Sequence, residues 1–505
     1  MNPHRVRKPA DEFDETPSKY PSQFPPTSDG KTPHVLIVGA GIGGLFLGIV
    51  LDRAGIPYQI FERATEVKSL GSIMGINANI LPCLEQLGLY EEFAAMSYPI
   101  KQMSMRYGTM KEIATLRMGH SSEEIGYDYQ MLPRPRLYEF LLSKVPAEKI
   151  HYGKKVLSMI QNKEGAMIRC ADGTTYHGDV LVGADGAYSA VRQSLYKSLQ
   201  DKNILPPSDT KDLHKGFTCL VGTTDPLDPE KYPYLLKDRT ESFMVIEEGT
   251  QYTWSFLNVP DNRICYLVIR QYETLAECEH EKFANSEWGP EKCGDMIENI
   301  RHFKLPAGGT LGDFIDQTPR NQISRVYLED KLFNTWNYGR TAMIGDAVHK
   351  MLPSAGQGAV CAMQDAVILA NCLYDLKDLK HETIEAALAD YKVQRFHQVE
   401  IQVHNSNTSG VLLYGQTLVE RMIRYVVFHW LPDSLKKKSL LKDASYRPQI
   451  AFLPLAPKRG TCPVQPQKPS KRYEEEERKR REEEDRKRRE GEKDSEKTEK
   501  STVPL

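Results

Sequence analysis

A glycine-rich segment near the amino terminus has the residue types and spacing of a phosphate-binding turn. Gly39, Gly41 and Gly44 form a GxGxxG pattern between an apolar run (HVLIVG) and a helix-like segment. The first glycine permits the tight turn, the second lets backbone approach a pyrophosphate, and the third lets helix and strand pack closely. Glu62 ends the next apolar run, where its carboxylate can accept hydrogen bonds from both hydroxyls of an adenosine ribose. These signals predict a dinucleotide site without choosing between NAD and FAD.

Two later segments also place a glycine-containing turn after an apolar run. Residues 180–183 are followed by Ala-Asp-Gly at 184–186, with a serine and an arginine shortly after. Near the middle of the second half, Gly-Asp-Ala at 345–347 follows an apolar run, and Gly-Gln-Gly at 356–358 opens a helix-like segment.

The elements that must position these turns change in kind along the chain. The first apolar run, helix-like segment and second run predict a βαβ unit, with Gly55 where a helix C-cap belongs. Residues 242–271 instead form three short apolar runs joined by tight turns, which predicts antiparallel strands. Residues 340–372 return to strand, loop and helix. This order predicts an α/β nucleotide-binding domain with a second, antiparallel domain inserted into it.

The three motifs occur in the order and at about the spacing found in single-component FAD-dependent monooxygenases, the aromatic-hydroxylase class typified by p-hydroxybenzoate hydroxylase. The sequence resembles that family over about residues 34–400, and segments 285–291, 318–331 and 345–360 resemble its fungal, secondary-metabolism members. The resemblance implies an α/β fold in which a Rossmann-like FAD/NAD(P)-binding domain is interlaced with an antiparallel-sheet substrate domain. C-terminal helices and a charged tail would follow.

The resemblance also divides the chain into segments. We expect a disordered lead at 1–33, the first part of the FAD-binding domain at 34–200 (with a substrate-domain segment at about 95–130), the substrate-domain sheet at 201–315, the return of the FAD-binding domain at 316–400, a C-terminal helical segment at 401–460 and a disordered or helical charged tail at 461–505.

By the same resemblance, several residues of the first half would bind FAD. Glu62 would hold the adenosine ribose, with Arg63 nearby. Gly71 and Ser72 would lie where the chain passes the cofactor after the second strand. Arg134 matches an arginine that contacts FAD in the family and is preferred to Arg136, because it lies three residues before a leucine as in the family pattern.

Residues of the two later motifs would complete the cofactor site. Asp185 and Gly186 would line both the cofactor groove and the route used by NAD(P)H. Asp346 would accept hydrogen bonds from the ribityl chain, although an aspartate that only caps the turn is the alternative. Gly358 and Ala359 would begin a helix that points at the pyrimidine edge of the flavin and favours its reduced anion.

The second half departs from the family pattern at one position. Many members carry Asn two residues after the Gly-Gln-Gly turn, whereas this chain has Val360, so the resemblance implies a backbone contribution there without a side-chain hydrogen bond. His349 occupies a usual family histidine position, where we expect a structural role in the turn.

The resemblance implies that NAD(P)H reduces FAD, that O2 then forms a flavin C4a-hydroperoxide, and that one oxygen atom is transferred to a small apolar, aromatic or terpenoid substrate by hydroxylation or epoxidation. No catalytic side chain is assigned. Tyr252, Trp254 and Phe256 share one face of a strand, which fits either an apolar pocket or a core stripe. The alternatives are an FAD-dependent reductase or other flavoprotein oxidoreductase on this fold, and a non-catalytic nucleotide-binding or assembly protein.

Composition excludes several other classes. The formal net charge of −2 argues against nucleic-acid binding, which needs a basic face. Nine cysteines stand singly, so neither a metal site nor a disulfide scaffold is predicted, and an intracellular, cytoplasmic location fits best.

Two C-terminal segments suggest contacts outside the cofactor site. Residues 411–431 contain three charged residues, which predicts an amphipathic helix packed on the body, with weak contact to a membrane surface as the alternative. Residues 471–500 are dominated by acid-then-base pairs at i,i+4, which predicts a solvated helix without an apolar face.

Overall fold

A computed structural model describes residues 32–66, 73–117, 121–272, 293–306 and 308–501, so most of the expected lead lies outside the described ranges. The strands in chain order are β1 (Val35–Val38), β2 (Tyr58–Phe61), β3 (Ile73–Ile76), β4 (Tyr98–Tyr107), β5 (Glu112–Arg117), β6 (Gln130–Pro133), β7 (Ile150–His151), β8 (Val156–Gln161), β9 (Ala166–Cys170), β10 (Thr175–Gly178), β11 (Val180–Gly183), β12 (His214–Thr223), β13 (Thr240–Ile246), β14 (Tyr252–Val259), β15 (Arg263–Gln271), β16 (Ser324–Leu332), β17 (Asn337–Tyr338), β18 (Thr341–Met343) and β19 (His349–Lys350).

The α-helices are, in the same order, α1 (Ile42–Ala54), α2 (Leu81–Gln86), α3 (Tyr90–Ala95), α4 (Ser121–Glu124), α5 (Arg134–Leu142), α6 (Ala190–Asp201), α7 (Gly294–Ile300), α8 (Leu311–Asp316), α9 (Gly358–Tyr374), α10 (His381–Tyr414), α11 (Leu418–His429), α12 (Asp433–Ala444) and α13 (Lys471–Ser501).

The first sheet is the α/β part of the molecule. Its six strands lie in the order β17-β18-β11-β1-β2-β7, and all neighbours are parallel except β17 and β18. The strands are short apolar runs buried along their length, as expected when helices cover both faces of a parallel sheet. Helix α1 follows β1, ends at Gly55 in the left-handed conformation (φ 66°), and packs against α9. The predicted βαβ unit is confirmed.

The second sheet is larger and mostly antiparallel. Its strands lie in the order β19-β16-β12-β15-β14-β13-β4-β6-β3, with β5 paired to β4. The three strands predicted within 242–271 are β13, β14 and β15. The sequence expectation placed residues from 316 onward in the cofactor domain, but β16 (Ser324–Leu332) pairs with β12 in this sheet. The chain returns to the first sheet only at β17, so the boundary at 315 needs that correction.

The outer face of the second sheet is an apolar core. Trp254 stacks on Phe303 at a ring distance of 4.5 Å, and Phe256 meets Phe314 of α8 at 5.3 Å. Tyr252 packs on the same cluster, which α7 and α8 cover. The aromatic stripe of β14 is therefore a core stripe, and its interpretation as the lining of a ligand pocket is wrong.

The C-terminal helices differ from the expected segments in two ways. Helix α10 runs through the expected boundary at 400, and the chain breaks at Gly415 before α11, so residues 411–431 are not one helix. The charged tail is a helix, as predicted, but its first turns dock on the body. Ser470 Oγ donates to Asp375, Tyr374 Oη donates to Glu476 at 2.5 Å, and the Tyr473 ring packs on the first core.

Candidate cofactor and active site

The three motifs of the sequence meet at one edge of the first sheet. Strands β18, β11, β1 and β2 are consecutive neighbours, with Val38 opposite both Gly183 and Phe61, and Gly183 opposite Met343. The carboxyl ends of parallel strands point the same way, so the turns that follow these strands lie side by side. Ligands of open α/β sheets bind at this edge.

The GxGxxG turn requires glycine for two separate reasons. Gly39 has φ 106°, and a Cβ there would lie 2.5 Å from the carbonyl oxygen of Ala184. A Cβ on Gly44 would lie 2.0 Å from the carbonyl oxygen of Gly39. The first and second motifs are thus in direct backbone contact. A Cβ on Gly41, in contrast, would meet nothing within 4 Å, so the turn is open on the side where a pyrophosphate would bind.

Glu62 holds this turn from the next strand. Its Oε2 accepts a hydrogen bond from Ala40 N at 3.0 Å, and its Oε1 accepts one from Ala64 N at 2.9 Å. The carboxylate is only half-buried, which leaves acceptor capacity for a ligand. Arg63 is exposed. Gly71 and Ser72 lie outside the described residues.

The third motif packs on the first through a small residue. A Cβ on Gly345 (φ 59°) would lie 3.0 Å from Cβ of Ala362, and one on Gly43 would lie 3.3 Å from the same atom. The starts of α1 and α9 therefore approach closely. Asp346 is exposed although both its neighbours, Gly345 and Ala347, are buried. A single carboxylate turned out of a buried turn is well placed to accept ligand hydroxyls.

A buried ion network supports the turn that carries Asp346. Asp365 Oδ2 accepts from Gly345 N at 2.9 Å and lies 2.5 Å from His349 Nε2, and Arg395 Nε donates to Asp365 Oδ1 at 2.8 Å. Asp365, His349 and Arg395 are all 0% exposed. Burial alone would raise the pKa of Asp365, but the charges of His349 and Arg395 outweigh it and lower that pKa. The buried location of His349 agrees with a structural role.

Helix α9 directs its amino terminus to the same edge. Its N-cap, Gln357, makes no side-chain capping bond, and the first intrahelical bond runs from Cys361 N to Gln357 O at 2.8 Å. The N–H groups of Gly358, Ala359 and Val360 consequently lack helical acceptors. A Cβ on Gly358 would meet nothing within 4 Å, so these donors border open space. The Val360 side chain is fully buried in the core, which explains how an apolar residue is accommodated here.

Arg134 and Asp346 lie near each other across the site. Arg134 begins α5. Burial lowers the pKa of its guanidinium, and the negative charge of Asp346 raises that pKa more than any other group does. Arg136, in contrast, forms a surface ion pair with Asp261 at 2.5 Å. Of these two arginines, Arg134 is the one beside Asp346, and its contact with FAD stays a prediction.

A neighbouring tyrosine adds an unsatisfied group to this side of the site. The Tyr138 hydroxyl is buried with no hydrogen-bond partner in the described ranges. Burial raises the pKa of Tyr138, and the Glu62 carboxylate contributes to the rise. The sequence analysis did not identify Tyr138 as a site residue. The one feature that could have indicated it is its position on the first turns of α5, four residues after Arg134.

The second motif is joined to the third by an arginine. Asp185 Oδ2 caps α6 by accepting from Ala190 N at 2.6 Å, and burial raises the pKa of Asp185. Gly186 has φ 78° and borders open space. Arg192, noted in the sequence only as part of the motif, donates from Nη1 to the carbonyl of Ala347 at 2.6 Å. This contact fixes the turn of Asp346 relative to that of Asp185.

The inner face of the second sheet lies beside the Gly-Gln-Gly loop. Leu352 packs there with Met244 and Ile269 in one apolar cluster. Tyr129 reaches the loop itself: a Cβ on Gly356 would lie 2.5 Å from its hydroxyl oxygen. Burial raises the pKa of Tyr129 to about 12. Its hydroxyl makes no hydrogen bond to any other described residue, so a ligand could supply the partner.

The residues at this edge fit a flavin dinucleotide. Open backbone at Gly41, Gly186 and Gly358, two helix amino termini, and the carboxylate of Asp346 opposite Arg134 match the phosphates, hydroxyls and ring edge of such a cofactor. Within the described ranges no group of His, Cys, Asp and Glu could hold a metal ion.

Sequence comparisons agree with this geometry. Residues 32–215 and 311–406 match the family described as FAD binding domain. The chain is 28% identical over 452 residues to the FAD-dependent monooxygenase atmM of Aspergillus flavus, covering 87% of this chain and 90% of that protein. It is 30% identical to the FAD-dependent monooxygenase penM of Penicillium crustosum (72% and 76% covered) and 29% identical to the aurachin C monooxygenase/isomerase of Stigmatella aurantiaca (83% and 98%).

Solved structures share the fold. HpxO of Klebsiella pneumoniae, in complex with FAD and uric acid, aligns with a TM-score of 0.65 at 21% identity, covering 82% of this chain and 97% of that one. The 2,6-dihydroxypyridine-3-hydroxylase of Arthrobacter nicotinovorans aligns with a TM-score of 0.61 at 16% identity, covering 85% and 99%. The predicted fold class, two interlaced domains around an FAD-binding sheet, is confirmed.

Proposed function

The chain belongs to the FAD-dependent monooxygenases that share this FAD binding domain, and we propose that it uses NAD(P)H and O2 to insert one oxygen atom into a small apolar, aromatic or terpenoid substrate. The observation that carries the proposal is the convergence of four strand ends, with Gly39 against Ala184 and Gly345 against Ala362. The first sheet holds the cofactor, and the inner face of the second sheet holds the substrate.

Each cofactor contact follows from a group on this edge. Glu62 accepts from the adenosine ribose while its other bonds hold the turn of Ala40. The N–H groups at the start of α1, beside Gly41, bind the pyrophosphate. Asp346 accepts hydrogen bonds from the ribityl hydroxyls. The guanidinium of Arg134 balances the negative charge of the Asp346 carboxylate.

The isoalloxazine side depends on helix α9. When bound, FAD supplies the redox chemistry, namely acceptance of a hydride from NAD(P)H and reaction with O2. The N–H groups of Gly358 and Ala359 stabilise negative charge at the pyrimidine edge, an effect of about 0.3–2 kcal/mol for a helix end. Asp185 and Gly186 line the approach used by NAD(P)H. No side chain is assigned as an acid or base.

The substrate side excludes water with apolar residues and offers one hydroxyl. Met244, Ile269 and Leu352 form a buried apolar cluster beside the Gly-Gln-Gly loop, which keeps water from that side of the site. Tyr129 is the group that can orient a polar atom of the substrate, because its hydroxyl has no protein partner in the described part of the chain. An apolar, single-hydrogen-bond site fits an aromatic or terpenoid ligand better than a highly charged one.

The cysteines support an intracellular location. The eight cysteines in the described ranges are free and buried, as in proteins kept in a reducing environment, so we place the enzyme inside the cell.

The function is tested by spectroscopy followed by turnover. The purified chain should be yellow with bound flavin, oxidise NAD(P)H, and consume O2 in proportion to product when offered a panel of phenols and terpenoids. If NAD(P)H reduces the flavin and the hydride passes to the substrate, but no oxygen atom of O2 enters the product, the chain is the alternative reductase. A colourless protein that NAD(P)H does not reduce would refute the enzyme and leave the assembly-protein alternative.

A further inference from the structure

Helix α11 is oriented with its apolar side outward. Seven apolar side chains at spacings of three and four residues are exposed, and they form what we call the outer stripe: Leu418, Val419, Met422, Ile423, Tyr425, Val426 and Trp430. Leu418, Met422 and Trp430 are 75%, 70% and 73% exposed. The sequence predicted an amphipathic helix packed on the body. The helix does pack on the body, but its charged side makes the contacts and most of its apolar side faces solvent.

Specific contacts hold the charged side of α11 against the protein. Glu420 accepts from the backbone N–H of Thr417 at 2.9 Å in a capping box. Arg421 forms an ion pair with Glu248 of the β13–β14 turn at 2.7 Å. Arg424 is buried and donates from Nη2 to the carbonyl of Gly415 at 2.5 Å. The capping box lies within the helix and would turn with it, but rotation of the helix to bury its stripe would break the contacts of Arg421 and Arg424, so the outward orientation is built into the fold.

The surroundings of the outer stripe are basic. Between residues 415 and 444 there are six Lys and Arg against three Asp and Glu, but Arg421 and Lys437 are paired with Glu248 and Glu124 and Arg424 is buried, so the cations presented to solvent are those of α12. Helix α12, which follows directly, presents Lys438 and Lys442 at its surface together with exposed Leu435 and Leu440. A contiguous exposed apolar surface bordered by cations is complementary to an apolar partner that carries negative charge at its rim.

We propose that α11 and α12 dock the enzyme on the surface of an anionic lipid bilayer. Apolar side chains enter the acyl boundary, Tyr425 and Trp430 lie at headgroup depth, and the lysines meet anionic headgroups. No described helix is long and apolar enough to cross a membrane, so the contact is with one face of the bilayer. A two-fold dimer through the same stripe would bring the exposed lysines of two copies of α12 together, which disfavours a second copy as the occupant.

The docked surface adjoins the proposed substrate side. Phe428, on the inner side of α11, packs on the cluster that contains Met244 and Ile269. Docking would place that cluster next to the lipid, where apolar compounds dissolve. This location rests on the proposed function, whereas docking itself does not.

The test is flotation of the FAD-loaded full chain with vesicles. We expect little binding to phosphatidylcholine vesicles and roughly tenfold or more binding when phosphatidylserine is included, with loss of that increase at high salt. Met422→Glu combined with Val426→Glu should abolish flotation, and Lys438→Glu combined with Lys442→Glu should abolish the dependence on phosphatidylserine. The matched control is Val393→Glu on α10, which is 77% exposed and far from the stripe in sequence; it should float as the unaltered chain does.

Three results would overturn the proposal. The first is that the unaltered chain floats with neither vesicle. The second is that the Met422→Glu/Val426→Glu chain floats as well as the unaltered chain. The third is that the unaltered chain is a dimer and that this double substitution converts it to a monomer. Flavin content and NAD(P)H oxidation are measured on each variant. They should stay unchanged in the Met422→Glu/Val426→Glu chain, so failed docking is distinguishable from failed monooxygenase function.

Discussion

Replacing Asp365 by Asn tests whether the buried ion network holds the cofactor turn. Asp365 and Arg395 are both 0% exposed, and Arg395 donates to the carboxylate at 2.8 Å. Asn is nearly isosteric and can still accept from Gly345 N, but it leaves the guanidinium buried without a counter-charge. Breaking one side of a buried pair costs about 3–5 kcal/mol. For a domain of this size the melting temperature should fall by roughly 10 °C.

The assay follows release of flavin fluorescence and loss of circular dichroism on heating. The control is Asp316→Asn, the same chemical change opposite another arginine: Asp316 pairs with Arg301 at 2.8 Å, but its side chain is 57% exposed. Solvent screens that pair, so its loss should cost less than about 1 kcal/mol. If the two variants melt at the same temperature, the buried network does not stabilise the turn.

The pH dependence of the same variant supplies a second check. The charges of His349 and Arg395 depress the pKa of Asp365 in the folded chain. The stability they provide is therefore present above the ordinary carboxyl pKa of about 3.9 and is lost as pH falls through the depressed value. The difference in melting temperature between the unaltered and Asp365→Asn chains should be constant near neutral pH and shrink only in strong acid. A difference that disappears near neutral pH, far above the ordinary carboxyl pKa, would refute this assignment.

Four further outcomes are expected. Asp346→Ala should purify with little flavin by absorbance, because its exposed carboxylate is the proposed ribityl acceptor; a fully loaded protein would contradict this role. Gly44→Ala should lose flavin and soluble yield, because the new Cβ would lie 2.0 Å from a backbone oxygen. Tyr129→Phe should keep its flavin and raise KM about fivefold, the effect of losing one hydrogen bond of about 1 kcal/mol, and an unchanged KM would exclude contact with substrate. Truncation after Ser470 should lower the melting temperature through loss of the docked turns of α13 while flavin content and kcat persist; lost turnover would show that the tail reaches the site.

The cofactor side could be predicted from sequence because its determinants are local. In each motif the strand end, the glycine-containing turn and the helix start are neighbours in the chain. The spacing of these features therefore identifies Gly39, Asp185 and Gly345. Their meeting follows from one rule, that consecutive parallel strands end at one edge. Arg192 and Asp365 could not be assigned roles in the same way, because their contacts with Ala347 and Gly345 depend on how helices pack over that edge.

Periodicity does not encode which side of an element faces the protein, and the outcomes for β14 and α11 both depend on that. The spacing of Trp254 and Phe256 places them on one side of a strand, and that of Met422 and Val426 places them on one side of a helix, but neither spacing says which side faces the protein. For β14, helices α7 and α8 supply the apolar cover. For α11, Arg421 and Arg424 find acceptors on the body, so the polar side is the one that packs and the apolar side faces out. An apolar stripe that paired arginines hold outward carries a free-energy cost while it is exposed to water, and docking on a lipid surface would remove that cost without any change in the fold.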